Sequence, residues 1–200
     1  MKFAALLASL LLRGVTSAQQ VQSKPFNLVI QSADVSLNGQ QLAACHTGAA
    51  IESLCVAGRS GARFFLNTTE GWESPIKGYG SPGVLAWNLP LGNGQGFVSE
   101  PMSFYSDPST NVALPLFEPG YTSQPVSFDD NKSQLAILSY LDDTQTPPTG
   151  NTGKALKNWY VCQTYYSAYQ YRTLAWVLGN GGARPQNPSC VKVEVQRKFV

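Results

Sequence analysis

The sequence predicts an all-β chain, one domain built as a β-sandwich or closed β-barrel of about ten strands, with a β-trefoil as the alternative. Three observations carry that prediction. Short apolar-alternating or β-branched runs recur between clusters of Gly, Pro, Asn and Asp. No window sustains an apolar stripe at the 3.6-residue period of a helix. That many strands in one domain must also hide their unpaired edges, which sandwiches and barrels achieve. A trefoil would require a three-fold echo of strands, and no internal repeat of that kind stands out.

The elements follow in order. Phe26, Leu28 and Ile30 alternate with Asn27, Val29 and Gln31 to begin the first strand, and Asn38-Gly39 offers the positive-φ residues of a tight hairpin from which Leu42 to Cys45 returns. Further strands are predicted at Leu54 to Val56, Arg63 to Leu66, Val84 to Asn88, Met102 to Tyr105, Val112 to Leu116, Val126 to Phe128 and Leu135 to Tyr140. Trp159 to Tyr166 and Tyr171 to Leu178 form a hairpin around Ser167-Ala168. Val191, Val193 and Val195, alternating with Lys192, Glu194 and Gln196, form the last strand.

Residues 1–18 read as a secretory signal: Lys2, the apolar run Phe3 to Leu12, then Thr16-Ser17-Ala18 as small residues for cleavage, leaving residues 19–200 as the domain. No later apolar segment reaches the ~18–20 residues of a membrane span. Loss of Lys2 and Arg13 with the signal leaves twelve basic residues against twelve acidic, so bulk electrostatics gives no case for nucleic acid. An exported chain with four cysteines is expected to close them. Of three connectivities, Cys45 to Cys55 and Cys162 to Cys190 are preferred because each closes a short loop. Asn67-Thr68-Thr69 and Asn131-Lys132-Ser133 are glycosylation sequons that place Asn67 and Asn131 at the surface. The predicted location is therefore extracellular.

The composition excludes much chemistry. His46 is the only histidine, which argues against a His/Cys zinc centre and against two-histidine acid-base catalysis. It reads as a loop residue pinned by the neighbouring disulfide. No G-x-S-x-G elbow is present, and the glycine-rich stretches at Gly92 to Gly96 and Gly179 to Gly182 lack the strand-to-helix context of a phosphate cradle. No metal or cofactor is predicted. Carboxylates are the remaining catalytic option. Asp129-Asp130 and Asp142-Asp143 read as turn formers, with a weak calcium site at Asp129, Asp130 and Asn131 as the lesser reading. Glu52, Glu100 and Glu118 lie beside apolar residues, and a solvated edge position accounts for each.

The stretch Trp159 to Trp176 holds five of the nine tyrosines. Strand alternation sends Trp159, Val161, Gln163 and Tyr165 to one face and Tyr160, Cys162, Thr164 and Tyr166 to the other, so most of the cluster is read as sheet or core. The candidate binding surface is the turn: Tyr165, Tyr166, Tyr169, Tyr171 and Arg172, where phenols beside a guanidinium offer stacking to sugar rings or a protein partner.

As a set, ACHTGAAIESLCV (Ala44 to Val56), SEPMSF (Ser99 to Phe104), NVALPLFEPG (Asn111 to Gly120), LDDT with its following Thr-Pro-Pro (Leu141 to Pro148), WYVCQTYY (Trp159 to Tyr166), TLAWVLG (Thr173 to Gly179) and PQNPSCVKVEV (Pro185 to Val195) resemble a family of small fungal secreted proteins of unknown function. That family is distantly similar to cell-wall proteins of conidium-forming moulds. The resemblance implies a filamentous fungus and a setting outside the cell or in its wall, and it carries no catalytic residues. The function expected is that of a non-enzymatic protein of the cell wall or of the interface with a host, acting by surface recognition of cell-wall glycan or an extracellular protein. The rival is a pocket enzyme, either a carboxylate-based glycosidase or lyase or a protein that guides cyclisation or isomerisation of a small metabolite.

Overall fold

The computed structural model describes residues 19–92, 94–150, 153–179 and 182–200. Residues 1–18, where the secretory signal is predicted, lie outside them, as do Asn93 and Asn180-Gly181 of the two glycine-rich loops. Among the described residues there are fifteen strands and no helix. They are β1 (Gln20–Gln22), β2 (Phe26–Gln31), β3 (Leu42–Gly48), β4 (Ile51–Val56), β5 (Phe64–Thr69), β6 (Gly83–Pro90), β7 (Phe97–Tyr105), β8 (Val112–Phe117), β9 (Pro125–Phe128), β10 (Leu135–Ser139), β11 (Lys154–Leu156), β12 (Trp159–Tyr166), β13 (Tyr169–Val177), β14 (Val191–Lys192) and β15 (Glu194–Phe199).

The all-β prediction holds, and the closed architecture does not. The strands join in one connected, curled sheet whose main path runs β11-β10-β9-β6-β7-β8-β4-β13-β12-β14, an open ten-strand half-barrel rather than a closed barrel or a sandwich. Strands β1, β2, β3, β5 and β15 branch from that path. Phe26, Leu28 and Ile30 of β2 and Val195 of β15 join Leu54, Phe64, Phe117, Trp159 and Leu174 in the main core. Apolar surface is thus covered by branching strands, and its burial does not require the two ends of the path to meet.

Strand β8 shows why the sheet has two buried sides. All six of its residues are buried: Ala113 and Phe117 enter the main core, while Val112, Leu114 and Leu116 enter a second cluster with Cys162 and Ala175. Alternation along one strand feeds both. The β12–β13 hairpin spans the same two sides, pairing in continuous register from Trp159↔Trp176 to Tyr166↔Tyr169. Trp159 is fully buried, meets Trp176 edge to face at 4.7 Å and donates its indole N–H to Leu135 O at 2.8 Å. The tryptophans belong to the sheet, as the alternation predicts.

Two local expectations are corrected. Asn38-Gly39 does not make a two-residue hairpin: Leu37 and Asn38 both donate to Asp34 O, and the Asp34 carboxylate accepts from Ser36 N, so Asp34 winds a single tight turn that Gly39 leaves at φ 78°. Beyond the turn the chain runs briefly back beside β2, with Gly39 N donating to Ile30 O, Ile30 N to Gln40 O and Val29 bridged to Gln41, before β3 pairs with β4 instead. The last strand is also divided. Val193 donates to Trp159 O, and the chain passes there from β12, the partner of β14, to β2, the partner of β15. Both preferred disulfides are present. Cys45–Cys55 joins β3 to β4, and Cys162–Cys190 ties β12 to the segment before β14.

Candidate functional site

The turn that joins β12 to β13 is two residues long, with Ser167 at φ 55°, the positive first dihedral that suits the twist of a tight hairpin. It pushes Tyr165 and Tyr166 out toward the segment following β7. There Asp107 accepts from the amide (2.8 Å) and hydroxyl (2.6 Å) of Ser109, and Thr110 Oγ1 accepts from Val112 N, which fixes the loop. The Asp107 carboxyl is held below its ordinary value by those Ser109 bonds.

Between the loop and the turn lies a cleft of about 540 Å³, lined by Tyr105, Asp107, Ser109, Thr110, Tyr165, Tyr166 and Ser167. A neighbouring lobe of about 240 Å³ extends it over Leu114, Gln163, Thr164 and Asn187. Tyr105 and Tyr166 meet edge to face at 5.0 Å, and Tyr165 is 66% exposed. The far wall is anchored covalently. Asn187 donates to Gln163 O, Ser189 Oγ accepts from Gln163 N, and Cys190 is bonded to Cys162.

The five residues of the predicted surface divide here. Tyr165 and Tyr166 line the cleft. Tyr169 and Tyr171 turn to β3: their rings stack at 6.0 Å, Tyr169 meets the His46 ring edge-on at 5.5 Å, and the Tyr171 hydroxyl donates to His46 O at 3.0 Å. His46 itself stands exposed on β3, not in a loop. Arg172 is exposed opposite Gln163; its charge adds to the lowering of the Asp34 carboxyl, which the hydrogen bonds with Ser36 dominate. Sequence pattern alone does not mark Tyr105, Asp107, Ser109 and Thr110 as site residues, and the structure adds them. The available signal was Asp107-Pro108-Ser109-Thr110, a turn former followed by two hydroxyls directly after an aromatic strand end.

Where β4 and β7 flank β8 the structure gathers three carboxyl groups. Glu100 of β7 is fully buried opposite Trp87, and Glu52 of β4 is 4% exposed, opposite Phe117 on one side and His46 on the other. This overturns the expected solvated edge position for both. Each takes an inward place in its strand's alternation, beside Met102 in β7 and Leu54 in β4. Glu118 is half-buried one residue past β8 and accepts from Ser103 Oγ at 3.3 Å.

No hydroxyl, amide or cation among the described residues reaches Glu100 Oε1, Glu100 Oε2 or Glu52 Oε2. Burial, a hydrogen bond with the Glu52 carboxyl, and the charges of Glu52 and Glu118 push the Glu100 carboxyl up to about 8. Two buried carboxyls this close cannot both carry a charge cheaply, so the pair holds a shared proton at neutral pH. Glu118 also faces the cleft electrostatically. Burial, then the Glu118 charge, then Tyr105 raise the Tyr166 phenol, which stays a neutral donor.

The acidic doublets behave as turn formers. Asp129 accepts from Lys132 N and Gln134 N and pairs with Lys157 at 2.9 Å, so its charge is already neutralised by a cation. Asp142 accepts from the amide and hydroxyl of Thr144 and pairs with Lys154 at 3.0 Å. Of the sequon residues, Asn131 is exposed in the turn at Asp129, and Asn67 is half-buried in β5, where it accepts from Gln22 Nε2.

No curated protein and no solved structure matches the chain. One family model spans nearly all of the described residues, matching 23–199. The chain therefore belongs to the family described as a domain of unknown function, DUF7907.

Proposed function

We propose that this protein is an extracellular recognition protein that binds glycan in the cleft between Tyr105, Tyr165 and Tyr166, without performing chemistry on it. One observation carries the reading: an exposed tyrosine and an edge-to-face tyrosine pair stand around a cleft whose other lining groups are a carboxylate and three hydroxyls. Aromatic faces cover the apolar C–H faces of a sugar ring, while carboxylate and hydroxyl groups answer its own hydroxyls. The two disulfides are compatible with an extracellular setting. A filamentous fungal source and a place at the cell wall belong to the same proposal, on the resemblance of the sequence motifs. Titration of wild type and the Tyr165→Ala/Tyr166→Ala double variant with β-glucan and chitin oligosaccharides tests it. Saturable binding lost in the double variant is expected; equal binding by both, or none by the wild type, overturns it.

The rival, a carboxylate-based glycosidase or lyase, finds no support in the Glu52–Glu100 pair: Glu100 is fully buried, Glu52 is 4% exposed and neither lines the cleft, whereas a general acid has to touch the glycosidic oxygen. Turnover of β-glucan or chitin oligosaccharides by the wild type would replace binding with catalysis.

A further inference from the structure

Arg197 of β15 is a cation that no carboxylate among the described residues pairs with. Its guanidinium carbon lies 4.3 Å from the ring centre of Phe128, 4.7 Å from that of Phe199 and 5.7 Å from that of Phe26. Its Nε is sealed from water without an acceptor among the described residues. Burial alone lowers its pKa, with no acidic neighbour opposing the shift. Arginine normally meets a carboxylate or phosphate when desolvated, since its fork of donors is costly to leave unmet.

Arg197 also lines a cavity of about 290 Å³ that shares no lining residue with the tyrosine cleft. Val21, Leu66 and Phe128 give it apolar walls. Two of its three hydroxyls are occupied: Ser23 Oγ donates to Lys24 O and accepts from Leu66 N, and Thr68 Oγ1 donates to Val21 O. What remains is one cation, the exposed Ser81 at the rim, and hydrocarbon.

We propose that this cavity binds a small organic monocarboxylate, its carboxylate on the Arg197 guanidinium and its hydrocarbon part against Val21, Leu66 and Phe128. A carboxylate matches both the single positive charge and the fork geometry. A phosphate dianion would bring a second charge into apolar walls that hold no second cation. The aromatic rings around the guanidinium hold its plane in place before the ligand arrives, which reduces the ordering cost of binding.

The test is calorimetric titration of the full mature chain with hexanoate, hexanol and inorganic phosphate at matched ionic strength. Saturable hexanoate binding is expected, with hexanol and phosphate each at least about tenfold weaker. Arg197→Gln should lose at least about tenfold in hexanoate affinity while binding hexanol as the wild type does. Ser81→Trp, at an exposed rim position, keeps the test open if Arg197→Gln does not fold, and should block hexanoate by filling the mouth. Hexanoate binding no better than hexanol, phosphate binding as tight as hexanoate, or full hexanoate affinity in a folded variant of either kind overturns the proposal.

Discussion

Glu100 of β7 and Glu52 of β4 set two carboxyl groups together beneath a surface that admits no water to the first and almost none to the second. They are 48 positions apart in sequence, and they meet because β4 and β7 both flank β8. Glu118, one residue past that shared neighbour, adds a third negative charge and links the pair to Tyr166 of the cleft. The arrangement makes stability depend on pH around one proton.

A carboxyl whose folded pKa lies above its unfolded one binds more protons folded than unfolded. The contribution of Glu100 is therefore fully present below its ordinary value of 4.5 and is lost as pH climbs through about 8. Glu100→Gln removes the titration and gives Glu52 an amide donor. The variant should match the wild type at about pH 5 and exceed it by about 1–3 kcal/mol at about pH 9. Urea unfolding at the two pH values measures this, and identical pH profiles for the two proteins would refute the shared proton.

The tyrosines of the hairpin should separate into two groups. Tyr165→Ala removes a largely exposed ring and should change stability by less than about 0.5 kcal/mol while weakening glycan binding. Tyr171→Phe removes only the hydroxyl that donates to His46 O, which should cost about 0.5–1.5 kcal/mol and leave binding intact. Parallel denaturation and binding titrations distinguish them. A Tyr171→Phe variant with normal stability and lost binding would reverse the assignment.

Asp129 lies in a partly buried cluster with Lys157 and Gln134, where Lys157 Nζ also donates to Gln134 Oε1 at 2.7 Å. Burial works against its charge, but the amides of Lys132 and Gln134 together with the Lys157 ammonium outweigh it and hold the carboxyl below its ordinary 3.8. A depressed carboxyl contributes stability above its unfolded pKa and loses it as pH falls through the folded one. Asp129→Asn should cost about 2–4 kcal/mol at neutral pH and flatten the acid limb of the stability curve below about pH 4. An unchanged acid limb would place the source of acid sensitivity elsewhere.

The two disulfides should contribute unequally. Cys162–Cys190 closes a separation of 28 residues and Cys45–Cys55 one of 10. Chain entropy assigns about 3–4 kcal/mol to the first and about 2–3 kcal/mol to the second. Replacing each pair by alanine and comparing urea midpoints measures the difference. The longer bridge should also matter to binding, because it holds the Asn187 wall of the cleft, whereas loss of the β3–β4 bridge should leave binding unchanged.

The sequence by itself determined what short-range periodicity encodes. The alternation from Phe26 to Gln31 marked β2, and that of Trp159 to Tyr166 divided the aromatics correctly between two sides of the sheet. The proximity of cysteines along the chain indicated both bridges. Pairing partners were beyond it. A strand's pleat reports which residues share a face and not which neighbour completes its hydrogen bonds, so β3's union with β4, the division of the last strand at Val193 and the open half-barrel emerged only in three dimensions. The same holds for the candidate sites. Glu52 and Glu100 were visible as acids beside apolar residues, but burial is a property of what packs over a side chain, and that came from distant strands. Tyr165 faces its cleft because a loop more than fifty residues earlier supplies the opposite wall, and Arg197 stands without an ion pair because the fold brings no carboxylate among the described residues to it.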